Sequence, residues 1–143
     1  MSWSKEQVDE FLTSEPRMGR LATVSGDGEP RVAPVWFRHD GDRLLVHSME
    51  DSSKVKNALA TGRFSMAVDK DDAPYAGVVL TGRVEVLGAD QHDYAALVNE
   101  CAVRYLGEEM GGQMGPMIAG MPGAHVTLAL TPEKWDSWDY SQM

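Results

Sequence analysis

Two glycine-bearing turn signals set the terms on which this chain can fold. From Arg20 onward, Leu21, Thr23 and Ser25 alternate with Ala22 and Val24, and Gly26-Asp27-Gly28 then supplies the positive-φ positions of a hairpin turn. Residues 31–38 read as the return strand, and Asp40-Gly41 makes a second tight turn into Leu44-Leu45-Val46-His47-Ser48. Tight turns join antiparallel strands, because a parallel pair needs a crossover of a dozen or more residues. A meander is expected and a doubly wound parallel sheet is disfavoured. Gly26-Asp27-Gly28 leads into a strand and not a helix, so it is a turn rather than a dinucleotide-binding fingerprint.

The remaining elements follow from period and punctuation. Ser4-Lys5-Glu6-Gln7 fits a capping box, and Val8, Phe11 and Leu12 come after it at helical spacing. Asp51-Ser52-Ser53 offers caps for a helix over residues 54–60, with Val55, Ala58 and Leu59 as its buried stripe and Gly62 as its stop. Residues 64–68 form a fourth strand. Residues 76–87 form a long one, in which Gly77 and Gly82 mark a bulge or a close backbone approach. Asp90 caps the longest helix, which carries Tyr94, Leu97, Val98, Cys101, Ala102 and Tyr105 at the 3.6 period and ends at Gly107. Met110, Met114, Met117 and Met121 also recur at helical spacing, but Gly111, Gly112, Gly115, Pro116 and Gly120 weaken a helix there. Residues 110–122 are therefore expected to form a mobile apolar flap. Residues 125–130 make a sixth strand, and Thr131-Pro132-Glu133 turns the chain into an aromatic tail of Trp135, Trp138 and Tyr140. The sum is a mainly β, α+β domain over residues 1–143: a small closed or half-closed six-stranded antiparallel barrel with helices at its rim.

Composition narrows the function classes. With 13 Lys+Arg against 22 Asp+Glu, the net charge of −9 repels polyanions and argues against a nucleic-acid binder. No apolar run reaches the roughly 18 residues of a membrane span, and MSWSKEQVDE has neither a basic n-region nor an apolar h-region, so a cytoplasmic protein with small-molecule partners is expected. Cys101 is the single cysteine and falls on the apolar helix stripe, where burial is favoured over a nucleophilic role. The four histidines show no ligand spacing, and no metal is expected.

The stretch from Val46 to Asn57 carries the most chemistry. A strand ends, a hydroxyl-rich loop follows, and a helix starts with Ser52, Ser53, Lys54 and Lys56. Helix N-termini bear about half a positive charge and free N–H donors, so Lys54 and the hydroxyls would complete a phosphate cradle. The plainer reading is that Ser52 caps the helix and the lysines are solvated. Pro34, within Arg31-Val32-Ala33-Pro34-Val35-Trp36-Phe37, cannot donate to a ladder, which makes that strand an edge or leaves it open to another molecule. Trp36 and Phe37 point to opposite faces, one of them core, with the other left between core, ligand and partner chain.

The segments Gly19-Arg20-Leu21-Ala22-Thr23-Val24, Gly28-Glu29-Pro30-Arg31-Val32-Ala33-Pro34-Val35-Trp36, the helix entry from Ser53 and Lys54 through Lys56-Asn57-Ala58-Leu59, Leu80-Thr81-Gly82-Arg83-Val84-Glu85-Val86, Arg104-Tyr105-Leu106-Gly107 and Leu130-Thr131-Pro132-Glu133-Lys134-Trp135-Asp136-Ser137-Trp138-Asp139 occur in an order that resembles the split β-barrel superfamily of pyridoxamine 5'-phosphate oxidases and flavin/deazaflavin oxidoreductases. The resemblance implies a six-stranded split barrel binding FMN or coenzyme F420. It places the phosphate at His47, Ser48, Ser53, Lys54 and Lys56, and the ring along Arg31, Val32, Ala33, Pro34 and Val35. It also implies a homodimer with the cofactor in the groove between chains, where Trp138 or Tyr140 reaches the neighbour's cofactor. The implied activity is hydride transfer to or from a small organic substrate. A non-catalytic flavin- or haem-binding carrier, sensor or storage protein of the same fold is the alternative. The chain departs from pyridoxamine phosphate oxidases in carrying Gly77 where they often place a glutamine, and in lacking their C-terminal Arg and His pattern.

Overall fold

The first expected hairpin forms. In the computed structural model, which describes residues 2–142, β1 (Gly19–Val24) pairs antiparallel with β2 (Pro30–Val35), with Leu21 opposite Ala33. The other elements are α1 (Lys5–Ser14), β3 (Arg38–Asp40), β4 (Arg43–Met49), α2 (Ser53–Thr61), β5 (Arg63–Asp69), β6 (Ala76–Leu87), α3 (Tyr94–Leu106), α4 (Glu108–Ala119), β7 (His125–Asp139) and a closing 3-10 turn, Tyr140–Gln142. The capping box opens α1 as expected: the Gln7 amide donates to Ser4 Oγ at 3.2 Å, and the Ser4 amide donates to Gln7 Oε1 at 2.9 Å.

The strands make one antiparallel sheet of seven, in the order β2-β1-β5-β6-β7-β4-β3. Residues 31–38 are thus not one return strand, and the sheet has seven strands rather than six. The chain leaves one edge at Val35 and joins the opposite edge at Arg38, with only Trp36 and Phe37 between. Consecutive Cα atoms lie about 3.8 Å apart, so Val35 and Arg38 are within roughly 11 Å of each other. The sheet therefore curls until its edges approach. Among the described residues no ladder joins β2 to β3, so the barrel stays split. The Tyr105 hydroxyl serves this break, accepting from the Phe37 amide at 3.3 Å and donating to the Arg17 carbonyl at 2.8 Å.

Thr131-Pro132-Glu133 does not turn the chain. Strand β7 runs straight through it to Asp139, and the register with β6 shifts between Thr81 and Gly82, placing Pro132 opposite Gly82. The irregularity absorbs a proline that has no N–H for the ladder. A Cβ on Gly82 would lie 2.9 Å from the Glu133 nitrogen, and one on Gly77 would lie 2.6 Å from Trp138 Cζ2, so both glycines mark close approaches as expected.

Two helical expectations change. The cap of α3 is Asp93, whose carboxylate accepts from the Ala96 amide at 3.0 Å, and not Asp90. Residues 110–122 are not a flap either, because α4 occupies most of that span. Gly111 and Gly115 let it settle on α3: a Cβ at Gly111 would sit 2.5 Å from Val103 Cα, and one at Gly115 3.2 Å from Asn99 Cα. Packing gained by this close approach outweighs the glycines' poor helix propensity.

Burial divides into two layers. Leu21, Phe37, Leu44, Val46, Met66, Leu80 and Leu128 fill the barrel, while Leu45, Leu87, Leu97, Cys101 and Ala129 pack outside it under α3, flanked by Trp36 and Tyr105. Trp36 and Phe37 do point to opposite faces. Among the described residues no helix is long and apolar enough to cross a membrane.

Candidate functional site

Strand β4 serves both layers. Its alternation sends Leu44 and Val46 into the barrel and Leu45 and His47 to the outer face beneath α3. In the neighbouring β7, Thr127 lies opposite His47 and His125 lies opposite Met49, so the two histidines are diagonal neighbours on one face. His47 Nε2 is 2.8 Å from His125 Nδ1, and His125 Nε2 is 2.7 Å from the Met121 carbonyl oxygen just beyond α4. The Tyr94 ring of α3 stacks on His125, with centroids 4.4 Å apart and planes 3° from parallel. Burial, then the neighbouring His125 and Lys54, push the His47 imidazole down to about 4, so it is neutral at physiological pH.

Helix α2 is fixed to β1 by two polar anchors. Buried Asn57 donates through Nδ2 to Thr23 Oγ1 at 3.1 Å, and Thr61 Oγ1 donates to the Val24 carbonyl at 3.3 Å. Ser52 stands at the N-cap, but its side chain caps nothing. Its hydroxyl pairs with Ser48 Oγ at 2.8 Å instead, which leaves the first-turn amides of α2 without a side-chain acceptor. This is the open helix start that an anion requires.

These elements meet around a cavity of about 240 Å3. Pro34, Val35 and Trp36 line it from the end of β2, His47 from β4 and Lys54 from the first turn of α2. Val98 and Cys101 of α3, Ile118 of α4 and Met18 close the apolar side. Lys54 is half-buried, and burial lowers the pKa of its ammonium, so the group is poised to gain from a bound anion. The Cys101 thiol is pushed by burial up to about 11, which keeps it protonated and inert, as its place on the apolar stripe implied.

Four of the expected residues, Pro34, Val35, His47 and Lys54, come together on this cavity. Arg31 and Val32 lie on the exposed edge of β2, Val32 being 70% exposed, and Ala33 is half-buried beside them. Ser48 is buried under the loop through its bond to Ser52, Ser53 opens α2, and Lys56 is exposed one turn short of the anchor at Thr61. Trp138 covers Gly77 on the β6 and β7 ladder and does not line the cavity. The sequence reading missed Met18, Val98, Ile118 and the second-layer His125. Strand alternation in β7 puts His125 on the outer face, which was the available signal for it. Among the described residues, no group of three or more His, Cys, Asp or Glu is placed to hold a metal ion.

Together these elements make a curled, split antiparallel barrel with a lysine, a histidine and an open helix start around a cavity at its rim. The chain belongs to the pyridoxamine 5'-phosphate oxidase family, whose model matches residues 4–139. A conserved hypothetical protein from Mycobacterium tuberculosis shares the fold with a TM-score of 0.78 at 21% identity, covering 96% of this chain and 86% of its own. An F420 reductase superposes with a TM-score of 0.68 at 25% identity over 89% of this chain and 94% of its own. A FAD-binding protein from Mesorhizobium loti does so with a TM-score of 0.65 at 25% identity over 96% and 95%. No curated protein sequence matches the chain significantly.

Proposed function

We propose that this chain is an oxidoreductase that binds FMN or coenzyme F420 and transfers a hydride to or from a small organic substrate. The observation that carries the reading is the convergence of Lys54, the uncapped start of α2, His47 and the Pro34-Val35-Trp36 edge on one cavity. Lys54 and the first-turn amides of α2 hold the cofactor's phosphate, with the Ser53 hydroxyl beside them and Lys56 adding charge from the end of that turn. Among the described residues strand β2 pairs only with β1, so the backbone groups along its other side, from Arg31 to Val35, are open to the edges of a ring. When bound, the cofactor's ring supplies the hydride chemistry, and the residues bind it, orient it and keep water from it. Val98, Ile118 and Trp36 provide that dry wall.

The cavity of one chain, about 240 Å3, is below the roughly 300–1,000 Å3 of typical small-molecule sites. Exposed Val32 and Tyr140 stand outside it. Both features support a homodimer whose second chain completes the groove, with the Trp138 and Tyr140 tail close to the neighbour's cofactor. Relatives at 25% identity named for F420 and FAD support a flavin-type ligand.

The absorption spectrum of any copurifying small molecule, followed by separate titrations with FMN and F420, tests the reading. Micromolar or tighter binding of one of them supports it, and binding of neither overturns it. A cofactor that binds but exchanges no hydride with any reductant or acceptor would make the protein a carrier, sensor or storage protein instead.

A further inference from the structure

The direction of the histidine pair starts from its contact with a backbone carbonyl. A carbonyl oxygen can only accept, so His125 Nε2, 2.7 Å from the Met121 oxygen, carries a proton. A His125 ring with its one proton on Nε2 has its lone pair on Nδ1, and His47 Nε2, 2.8 Å away, is then the donor to it. That leaves the lone pair of neutral His47 on Nδ1. Among the described residues Nδ1 has no hydrogen-bond partner and no buried side-chain nitrogen or oxygen lacks one, so Nδ1 is an accessible atom on a residue that lines the cavity. Stacking of Tyr94 on His125, and more loosely on His47 at 5.9 Å, holds both ring planes. The groups facing His47 are Lys54 from α2, His125 from β7 and Tyr94 from α3, and no carboxylate lines the cavity to stabilise an imidazolium.

We propose that His47 is the hydrogen-bond acceptor of the cavity and takes an O–H from the polyol chain next to the ligand's phosphate, with His125 as the positioning residue that sets its tautomer. The inference rests on the flavin-type reading above, because the ribityl chains of FMN and of F420 both place hydroxyls beside a phosphate. The phosphate itself is the poorer match for His47. Its oxygens at neutral pH are almost all acceptors, and an acceptor lone pair facing them repels. Lys54, whose ammonium only donates, is the complement for those oxygens on the same cavity. The two side chains thus read adjacent parts of one ligand: Lys54 the oxyanion, His47 the hydroxyl next to it. This moves His47 off the phosphate, where the family resemblance put it.

Two measurements test the proposal separately. Long-range 1H–15N correlation on the cofactor-free protein at pH 7 should show His47 as the neutral Nε2–H tautomer, with the Nε2 of His125 protonated and its Nδ1 the acceptor. The His47 tautomer should become mixed in His125→Leu and recover in His125→Gln, whose amide oxygen can again accept. An Nδ1–H or imidazolium form of His47 in the wild type overturns the tautomer half. For the ligand half, FMN, or F420 if only that binds, is compared with its deoxyribityl analogues. One analogue should bind wild type about threefold to tenfold more weakly than the parent, the range for a single neutral hydrogen bond, and equally well in His47→Leu. Analogues that all bind like the parent, or a penalty that persists in His47→Leu, overturn the assignment. A protein that binds neither cofactor overturns the flavin-type reading and the ligand half with it, while the tautomer result stands or falls on its own spectrum.

Discussion

Lys54 is held where burial works against its charge, and only an anion in the cavity relieves that conflict. Lys54→Ala should therefore weaken cofactor binding by about 1.5–3 kcal/mol, the value of a hydrogen bond to a charged group, and leave the melting temperature nearly unchanged. Equal dissociation constants for mutant and wild type would return this lysine to a solvated helix face. His47 makes a pH prediction. Because its folded pKa is depressed to about 4 from 6.5, the unfolded chain binds more protons than the folded one between those values. The stability that neutral His47 contributes is intact above pH 6.5, falls as the pH drops below it, and stops falling near pH 4. Urea unfolding across that window should show a shallower loss for His47→Phe than for wild type, and parallel curves would contradict the assignment. These two residues were legible in the sequence, since a strand with His47-Ser48 near its end and a helix starting Ser53-Lys54 form a recognisable sequence of chemistry. Met18 and Ile118 were not, because they reach the cavity through tertiary approach that no local pattern encodes.

Helix α4 sets propensity against packing. Each interior glycine costs a helix roughly 1 kcal/mol relative to alanine, which is why residues 110–122 read as a loose flap. Gly111 and Gly115 are the points at which α4 touches the α3 backbone, and that contact is invisible to propensity. Gly112, one residue along, meets nothing within 4 Å. Gly111→Ala should destabilise the protein by about 1–3 kcal/mol through overpacking, whereas Gly112→Ala should stabilise it by about 0.5–1 kcal/mol. Chemical unfolding of the two variants distinguishes these outcomes, and a stabilising Gly111→Ala would mean that α4 does not lie on α3 by this face. With α4 in place, Met110, Met114, Met117 and Met121 are exposed and none of them lines the cavity, which Ile118 meets instead. The break after β2 was equally hidden. Trp36 and Phe37 are good strand formers, and nothing local says that the sheet edge changes between them.

At the scale of the whole molecule, the two turn signals and the alternation around them correctly demanded an antiparallel sheet. They left the number of strands and the place of the split to long-range pairing. That split matters for function because it leaves the free edge of β2 next to Lys54 and His47, with too little wall in one chain to enclose a cofactor. Our proposal that a second copy closes the groove makes a prediction at this scale: light scattering should give twice the 15.7 kDa chain mass at micromolar concentration. The most direct measurement of the central claim is native mass spectrometry of the protein after incubation with FMN and, separately, with F420. A two-chain species that retains one of these cofactors in wild type and loses it in Lys54→Ala is the predicted result. A cofactor-bearing monomer, a wild type that retains neither cofactor, or a Lys54→Ala variant that retains one as firmly as wild type would contradict it.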